Sequence, residues 1–294
     1  MKTQEIQIRD PFVVARQEDR KYYLFGSTDK NIWGPGTGFD VYVGSDLVEW
    51  EGPFPAFRPG PDFWSNENFW APEVHEYQGL YYMLATFKRR DNGLRGTAIL
   101  VADDIMGPYL PHSDGPVTPK DWLSLDGTLH VDDEGNPWLV FAHEWVQVRD
   151  GEICAVPLSA DLRNAIGEPV LLFRASQAPW VTPKSHHNRK IDGGYVTDGP
   201  FLTRTEAGSL LMLWSSFILD RYAIGVAIST DGQVANSNWI HEEKPLYTDD
   251  GGHGMLFCGF EGQWYLAIHS PNRTPDERPL FLPVVFDSKR VILA

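Results

Sequence analysis

Leu125-Asp126-Gly127-Thr128-Leu129-His130-Val131, then Asp132-Asp133-Glu134-Gly135-Asn136, then Pro137-Trp138-Leu139-Val140-Phe141, is the segment that decides the architecture of this chain. Two strand-like runs flank an acidic, glycine-containing turn, which is the pattern of a β-hairpin. An aspartate beside glycine opens it. The same succession recurs at Arg9-Asp10-Pro11-Phe12, Trp70-Ala71-Pro72-Glu73-Val74, Thr197-Asp198-Gly199-Pro200 and Gly251-Gly252-His253-Gly254. Each opening leads through an apolar run and a polar turn into an aromatic strand, such as Lys21-Tyr22-Tyr23-Leu24-Phe25 or Leu80-Tyr81-Tyr82-Met83-Leu84. With residues 10, 73, 126, 198 and 253 as markers, the gaps are 63, 53, 72 and 55 residues, a loose period of the kind that marks a repeat architecture.

Third strands follow in most units, for example Gly96-Thr97-Ala98-Ile99-Leu100-Val101 and Ala223-Ile224-Gly225-Val226-Ala227-Ile228, and short connectors with Trp or Pro lead to an outer strand. Four strands repeated radially make a propeller blade. The 294 residues divided among five units give about 59 each, a little above long propeller repeats. The expected fold is all-β, a five-bladed β-propeller of four-stranded antiparallel blades around a central channel. No Pro/Ser-rich linker separates the units, so a single domain over residues 1–294 is expected. Asp10 lies so early that the ring is expected to close by contact between blades one and five, with residues 1–5 dispensable.

Composition sets further bounds. The chain is 42% hydrophobic and 22% charged, with no low-complexity tract. A net charge of -15 argues against nucleic acid or an anionic membrane as partner, because phosphate recognition draws on clustered Lys and Arg. No apolar run of about 18 residues occurs, and Met1-Lys2-Thr3-Gln4-Glu5 lacks a signal-peptide core, so the chain as given reads as cytoplasmic. Cys154 and Cys258 fall within strand-like runs and read as buried thiols. Eleven Trp, eleven Tyr and sixteen Phe suit either a site that stacks sugar rings or blade packing, and composition does not choose between them.

In a propeller the innermost strands line the axis, so acids at equivalent strand starts converge. Asp10, Asp126 and Asp198 each open a unit. Converging carboxylates repel, and the repulsion splits their pKa values into an acid and a base. That is the requirement of glycosidic-bond hydrolysis: one group protonates the leaving oxygen while another activates water or attacks the sugar. The competing reading for any single Asp is an ordinary Asx turn.

The ordered set Arg9-Asp10-Pro11, Trp70-Ala71-Pro72-Glu73, Leu125-Asp126-Gly127 and Asp198-Gly199-Pro200 resembles glycoside hydrolase family 43 over nearly the whole chain. The resemblance implies a five-bladed propeller acting as a β-xylosidase, α-L-arabinofuranosidase or arabinanase on pentose-containing plant oligosaccharides or polysaccharides. It further implies an inverting mechanism with Asp10 as base, Asp126 as the orienting and pKa-tuning acid, and Asp198 as general acid. The family's usual acid is Glu before Gly-Pro, whereas this chain has the shorter Asp198. Glu144, in Phe141-Ala142-His143-Glu144-Trp145, is therefore a rival. The family more often has Asp where this chain has Glu73; Glu73 is expected to hold a substrate hydroxyl or to be a structural acid between blades. Trp70 is a candidate sugar platform, and Arg278 a candidate for substrate oxygens. His253 is expected near the axis, facing the substrate, an ordered water or a structural Ca2+ in the central channel. No metal-ligand motif is present and no cofactor is required by this reading. Two alternatives remain at this point: a glycoside phosphorylase using Arg89-Arg90, Lys184, Arg189-Lys190 or Arg278 for phosphate, and a non-catalytic carbohydrate-binding propeller.

Overall fold

The computed structural model describes residues 1–186, 191–235, 237–287 and 290–294. Five four-stranded antiparallel sheets follow one another along the chain, each built from four consecutive strands hydrogen-bonded in sequence order. Blade I is β1 (Arg9–Arg16), β2 (Lys21–Ser27), β3 (Phe39–Gly44) and β4 (Glu51–Phe57). Blade II is β5 (Ser65–Tyr77), β6 (Leu80–Arg89), β7 (Arg95–Ala102) and β8 (Leu110–Pro111). Blade III is β9 (Ser124–Val131), β10 (Pro137–His143), β11 (Glu152–Pro157) and β12 (Val170–Arg174). A hairpin of β13 (Lys184–His186) and β14 (Ile191–Gly194) precedes blade IV. Blade IV is β15 (Asp198–Arg204), β16 (Leu210–Ile218), β17 (Arg221–Ser229) and β18 (Trp239–His241), and blade V is β19 (Gly252–Cys258), β20 (Trp264–Ser270), β21 (Arg278–Asp287) and β22 (Arg290–Leu293). The expected five-bladed propeller is therefore the observed one.

Every inner strand carries a β-bulge at the same place. In β1 the register jumps from Arg9 opposite Ser27 to Phe12 opposite Phe25, so two residues face one. Equivalent jumps occur between Trp70 and Glu73, Leu125 and Thr128, Asp198 and Phe201, and Gly252 and Met255. The first bulged residue is left-handed in all five: Asp10 (φ 53), Ala71 (φ 48), Asp126 (φ 58), Gly199 (φ 50) and His253 (φ 46). Left-handed backbone costs a non-glycine residue about 1–2 kcal/mol, so four of these positions, all but Gly199, need compensation from their surroundings. The bulges also correct the sequence markers. In blade II the equivalent residue is Ala71 rather than Glu73, and in blade IV it is Gly199 rather than Asp198.

The core lies between blades. Phe39, Phe57, Phe69 and Phe87, each 1% exposed or less, pack blade I on blade II. Burying each such ring is worth about 1.5–3 kcal/mol. Leu84, Ile99, Phe141 and Val156 join blades II and III, Trp180 and Trp214 fill blades III and IV, and Leu213, Ile224, Leu256 and Ile268 join blades IV and V. Cys154 is buried, Cys258 half-buried, and both are free thiols.

Blade V meets blade I without exchanging a strand. Tyr22 packs on Phe260 and Phe257 with centroids 4.3 and 6.0 Å apart, and Trp50 meets Phe281 at 6.0 Å. Residues 1–5, expected to be dispensable, are bonded into this seam. The Met1 ammonium donates to the Trp50 carbonyl (2.7 Å), the Thr3 amide to Val48 (3.0 Å), and the Trp50 indole to the Thr3 hydroxyl (3.0 Å). Arg278 of blade V donates to the Gln4 carbonyl (3.0 Å), and Ile6 and Ile8 are fully buried behind this seam. Deleting residues 1–5 removes several bonds worth about 1 kcal/mol each. The expected outcome in a thermal melt is a Tm lower by roughly 5–10 °C; an unchanged Tm would show that the seam contributes nothing.

Candidate active site

The bulge amides are disposed of by a cross-blade rule. A bulge removes an N–H from its own ladder, and buried donors must be paired. The Ala71 amide donates to Ser27 Oγ (2.8 Å), Asp126 to Thr86 Oγ1 (2.8 Å), His253 to Ser215 Oγ (2.7 Å) and Asp10 to His269 Nδ1 (3.2 Å). Each acceptor stands on the second strand of the preceding blade, opposite the residue before that blade's bulge. In blade III that position is Ala142, which offers no side-chain acceptor. The fifth amide, Gly199, donates instead to Asp126 Oδ2 (3.0 Å). One carboxylate is thereby tied to the residue that follows Asp198.

Asp10 is 8% exposed and ringed by partners. Ser27 Oγ donates to its Oδ2 (2.7 Å), while Nδ1 of His253 (3.2 Å) and of His269 (3.5 Å) approach Oδ1, with Arg9 Nε at 3.9 Å. Burial pushes this carboxyl up, but His253, Arg9 and the Ser27 hydroxyl outweigh it and hold the group below its ordinary value. Because His269 Nδ1 accepts the Asp10 amide, its proton sits on Nε2, 3.3 Å from Asn272 Oδ1. Burial depresses this imidazole to about 3, so it stays neutral. Arg9 is in turn held by Asn272 (2.6 Å) and by the buried Glu277 (3.4 Å).

Asp126 and Asp198 go the other way. Burial, then the charge of Asp10, raises Asp126 well above the usual range; the Gly199 amide pulls it back, and Glu144 and Glu73 push it further up. Burial and then Asp126 push Asp198 up to about 7, against smaller opposing pulls from His253 and from the Tyr222 hydroxyl, which donates to Asp198 Oδ2 at 3.1 Å. Tyr222 is itself buried, its phenol raised well above 10.0 chiefly by that burial, and its ring stacks on His269 at 5.7 Å. A carboxyl near 7 still carries its proton on about half of the molecules at neutral pH, whereas Asp10, held below its ordinary value, is ionised there. One acid and one base thus stand in one site, which is what general acid–base catalysis requires.

Asp10, Asp126, Asp198, Glu144, Trp70 and His253 all line one cavity of about 780 Å³. Glu144 reaches it already paired: its carboxylate bonds Arg95, whose other nitrogen reaches Asn68 Oδ1 (3.4 Å) and whose guanidinium lies 4.9 Å over the Trp70 ring. Removing a partner from such a buried pair is costly, so Glu144 acts as a counter-ion. Trp70 is buried, its indole N–H fixed on the Ile32 carbonyl at 2.6 Å. Two expected residues lie outside the cavity lining. Glu73, two residues past its bulge, is buried against His75 Nε2 (2.9 Å) and reaches the site only through its charge. Arg278 is committed to the carbonyls of Gln4, Pro275 and Glu277, because it belongs to the blade I–V seam. His253 reaches the axis as expected, with Nδ1 engaged by Asp10 and, at 3.5 Å, Asp126. Among the described residues no group of three or more His, Cys, Asp or Glu gathers to hold a metal ion.

Sequence reasoning assigned no role to Tyr222, Arg95, Asn68 or Ser27, and ordinary strand sequence around them carries no signal. His269 had one: a lone imidazole ending the apolar run Leu266-Ala267-Ile268.

Comparison with known proteins places this geometry. The model of a family described as Glycosyl hydrolases family 43 matches residues 4–286. A solved structure described as an endo-arabinase from Bacteroides thetaiotaomicron is 39% identical, with a TM-score of 0.90 over 99% of this chain and 98% of that one. A probable arabinan endo-1,5-alpha-L-arabinosidase A of Emericella nidulans is 26% identical over 51% of this chain and 46% of its own length. A xylosidase/arabinosidase of Butyrivibrio fibrisolvens is 25% identical over 69% of this chain and 38% of its own length. The matched region thus spans less than half of each of these two curated relatives.

Opposite shifts of one pH limb test the electrostatics. Activity that needs protonated Asp198 is lost as pH rises through about 7. Tyr222→Phe removes a bond that favours the ionised form, so the basic limb of kcat/KM moves up by roughly 0.5–1 pH unit. Asp126→Asn removes repulsion, so the limb moves down. Shifts of the same sign in both variants would refute the assignment of that limb to Asp198.

Proposed function

Given that the chain belongs to glycosyl hydrolases family 43, we propose that it is a glycosidase that cleaves pentose-containing plant polysaccharides and oligosaccharides by direct, inverting displacement, with arabinan as the first-choice substrate. The observation that carries this reading is the split between Asp10, held below the ordinary carboxylate value, and Asp198, pushed to about 7, within one cavity. Asp10 accepts a proton from water as the water oxygen attacks the anomeric carbon. The bond to the leaving oxygen breaks, and Asp198 gives that oxygen its proton. Asp126, bonded to the Gly199 amide, fixes the acid's strand and keeps Asp198 protonated. Glu144 is the weaker candidate for the acid because Arg95 already neutralises it. The arabinan choice rests on the 39% identity to the protein described as an endo-arabinase.

The phosphorylase reading finds less support. Arg89 pairs with Asp91, Arg90 donates to the Ser65 carbonyl (3.4 Å), Arg278 bonds backbone carbonyls, and Lys184 at the cavity rim pairs with Asp220 at 3.2 Å; Arg189 and Lys190 lie outside the described residues. A purely binding propeller would have no use for oppositely shifted acids.

The test is hydrolysis of linear arabinan, xylan, their oligosaccharides and aryl pentosides by wild type, Asp10→Asn, Asp198→Asn and Glu144→Gln, with and without phosphate. The expected result is phosphate-independent cleavage of arabinan, a loss of about 10²–10⁴-fold in kcat for Asp10→Asn and Asp198→Asn, and an NMR product signal of inverted anomeric configuration. Activity surviving Asp198→Asn but lost in Glu144→Gln would reassign the acid, and silence of the wild type on the whole panel would reject the proposal.

A further inference from the structure

Among the eleven tryptophans of the chain, ten are buried or half-buried and one, Trp33, is 65% exposed. It stands on the cavity lining, on the loop between β2 and β3. An isolated exposed indole on a surface carries no meaning. This one sits on a segment fixed from several sides. Its own amide donates to Asn31 Oδ1 (3.2 Å), and the Gly34 amide to the Asn31 carbonyl (3.0 Å). The Gly36 amide donates to Asn66 of blade II (2.8 Å), Pro35 bridges Glu67, and the Thr37 amide and hydroxyl both bond the Asp29 carboxylate. At Gly36 a Cβ would fall 2.4 Å from the Phe69 ring, so the loop lies directly on the blade I–II core. Below it, Ile32, Trp70 and Ala71 form a small apolar cluster of their own.

The Trp33 ring meets Trp70 edge to face, with centroids 5.1 Å apart and planes at 80°. Trp70 is in turn covered by Arg95, and Arg95 holds Glu144. From rim to floor the wall therefore runs Trp33, Trp70, Arg95, Glu144, and only its outermost member shows most of its surface to solvent. Polar groups of Glu67, Asn68 and Lys88 line the same cavity beside it. An exposed, immobilised aromatic plane beside hydrogen-bonding groups fits a ligand that has an apolar C–H face and hydroxyl edges, as a neutral sugar ring does. A rigid ring also loses little entropy on binding.

We propose that Trp33 is the platform of a second sugar subsite, one that stacks a neutral pentose ring of the substrate chain beyond the ring undergoing displacement. This rests on the glycosidase reading above for the identity of the chain. The subsite makes longer chains better substrates than single glycosides, and it makes loop 28–38 a determinant of chain-length preference.

The experiment compares wild type, Trp33→Ala and Trp33→Phe on an aryl α-L-arabinofuranoside and on linear arabino-oligosaccharides of three to six units. The expected result is that the ratio of kcat/KM for the oligosaccharides to that for the aryl glycoside falls roughly tenfold in Trp33→Ala, mainly through KM, and that Trp33→Phe restores most of it. In parallel, arabino-oligosaccharide added to Asp10→Asn protein quenches tryptophan fluorescence, and Trp33→Phe in that background abolishes most of the quench. An unchanged ratio, or an equal loss on short and long substrates, overturns the subsite. Trp33-dependent quenching by an oligosaccharide, with wild type silent on the whole panel of arabinan, xylan, their oligosaccharides and aryl pentosides, keeps the subsite and rejects the glycosidase reading.

Discussion

The N–H that each inner-strand bulge removes from its ladder is the constraint from which the rest of the site follows. Five left-handed residues at the axis leave five buried donors, and each must find a partner. Four are met by Ser27, Thr86, Ser215 and His269, each reaching from the preceding blade. These bonds compensate the strain, set each blade against the next, and turn Asp10, Asp126 and His253 onto the axis together. Ala142 interrupts the cycle, and Asp126 closes it through Gly199. A structural obligation and the proposed catalytic arrangement thereby share one carboxylate.

Electrostatics separates groups that the backbone brings together. All three aspartates are buried, which alone would raise every one of them. Asp10 escapes because His253, Arg9 and Ser27 surround it, and Asn272 and Glu277 keep Arg9 in position. Asp198 does not escape, because its neighbour is Asp126 and its one donor is the neutral Tyr222 phenol. That phenol and the Asp126 bond to the next residue fix the position of Asp198. The stacking of Tyr222 on His269 joins the surroundings of acid and base into one packed unit.

Hairpins, turns, blade number and the positions of Asp10 and Asp126 were legible in the chain because they depend on interactions between residues close in sequence. Alternating apolar runs, Gly- and Asp-rich turns and the spacing of the openings all act over a few residues. The same local reasoning put Asp198 and Glu73 in phase with Asp10, although the bulge in those blades falls on Gly199 and Ala71. A shift of one or two residues at a bulge changes which side chain meets the axis, and no local propensity reports it.

What the sequence by itself determined was the repeat, the strand and turn chemistry and a set of acids at blade openings, all short-range consequences of side-chain shape and backbone preference. The tertiary structure decided the partners. Arg95 on Glu144, Tyr222 on Asp198, His269 on Asp10 and Arg278 on Gln4 join residues 24 to 274 positions apart. Those pairings exist because five blades packed at fixed angles bring distant strand ends to one mouth. The charge each acid carries there depends on burial and on neighbours that only the closed ring supplies.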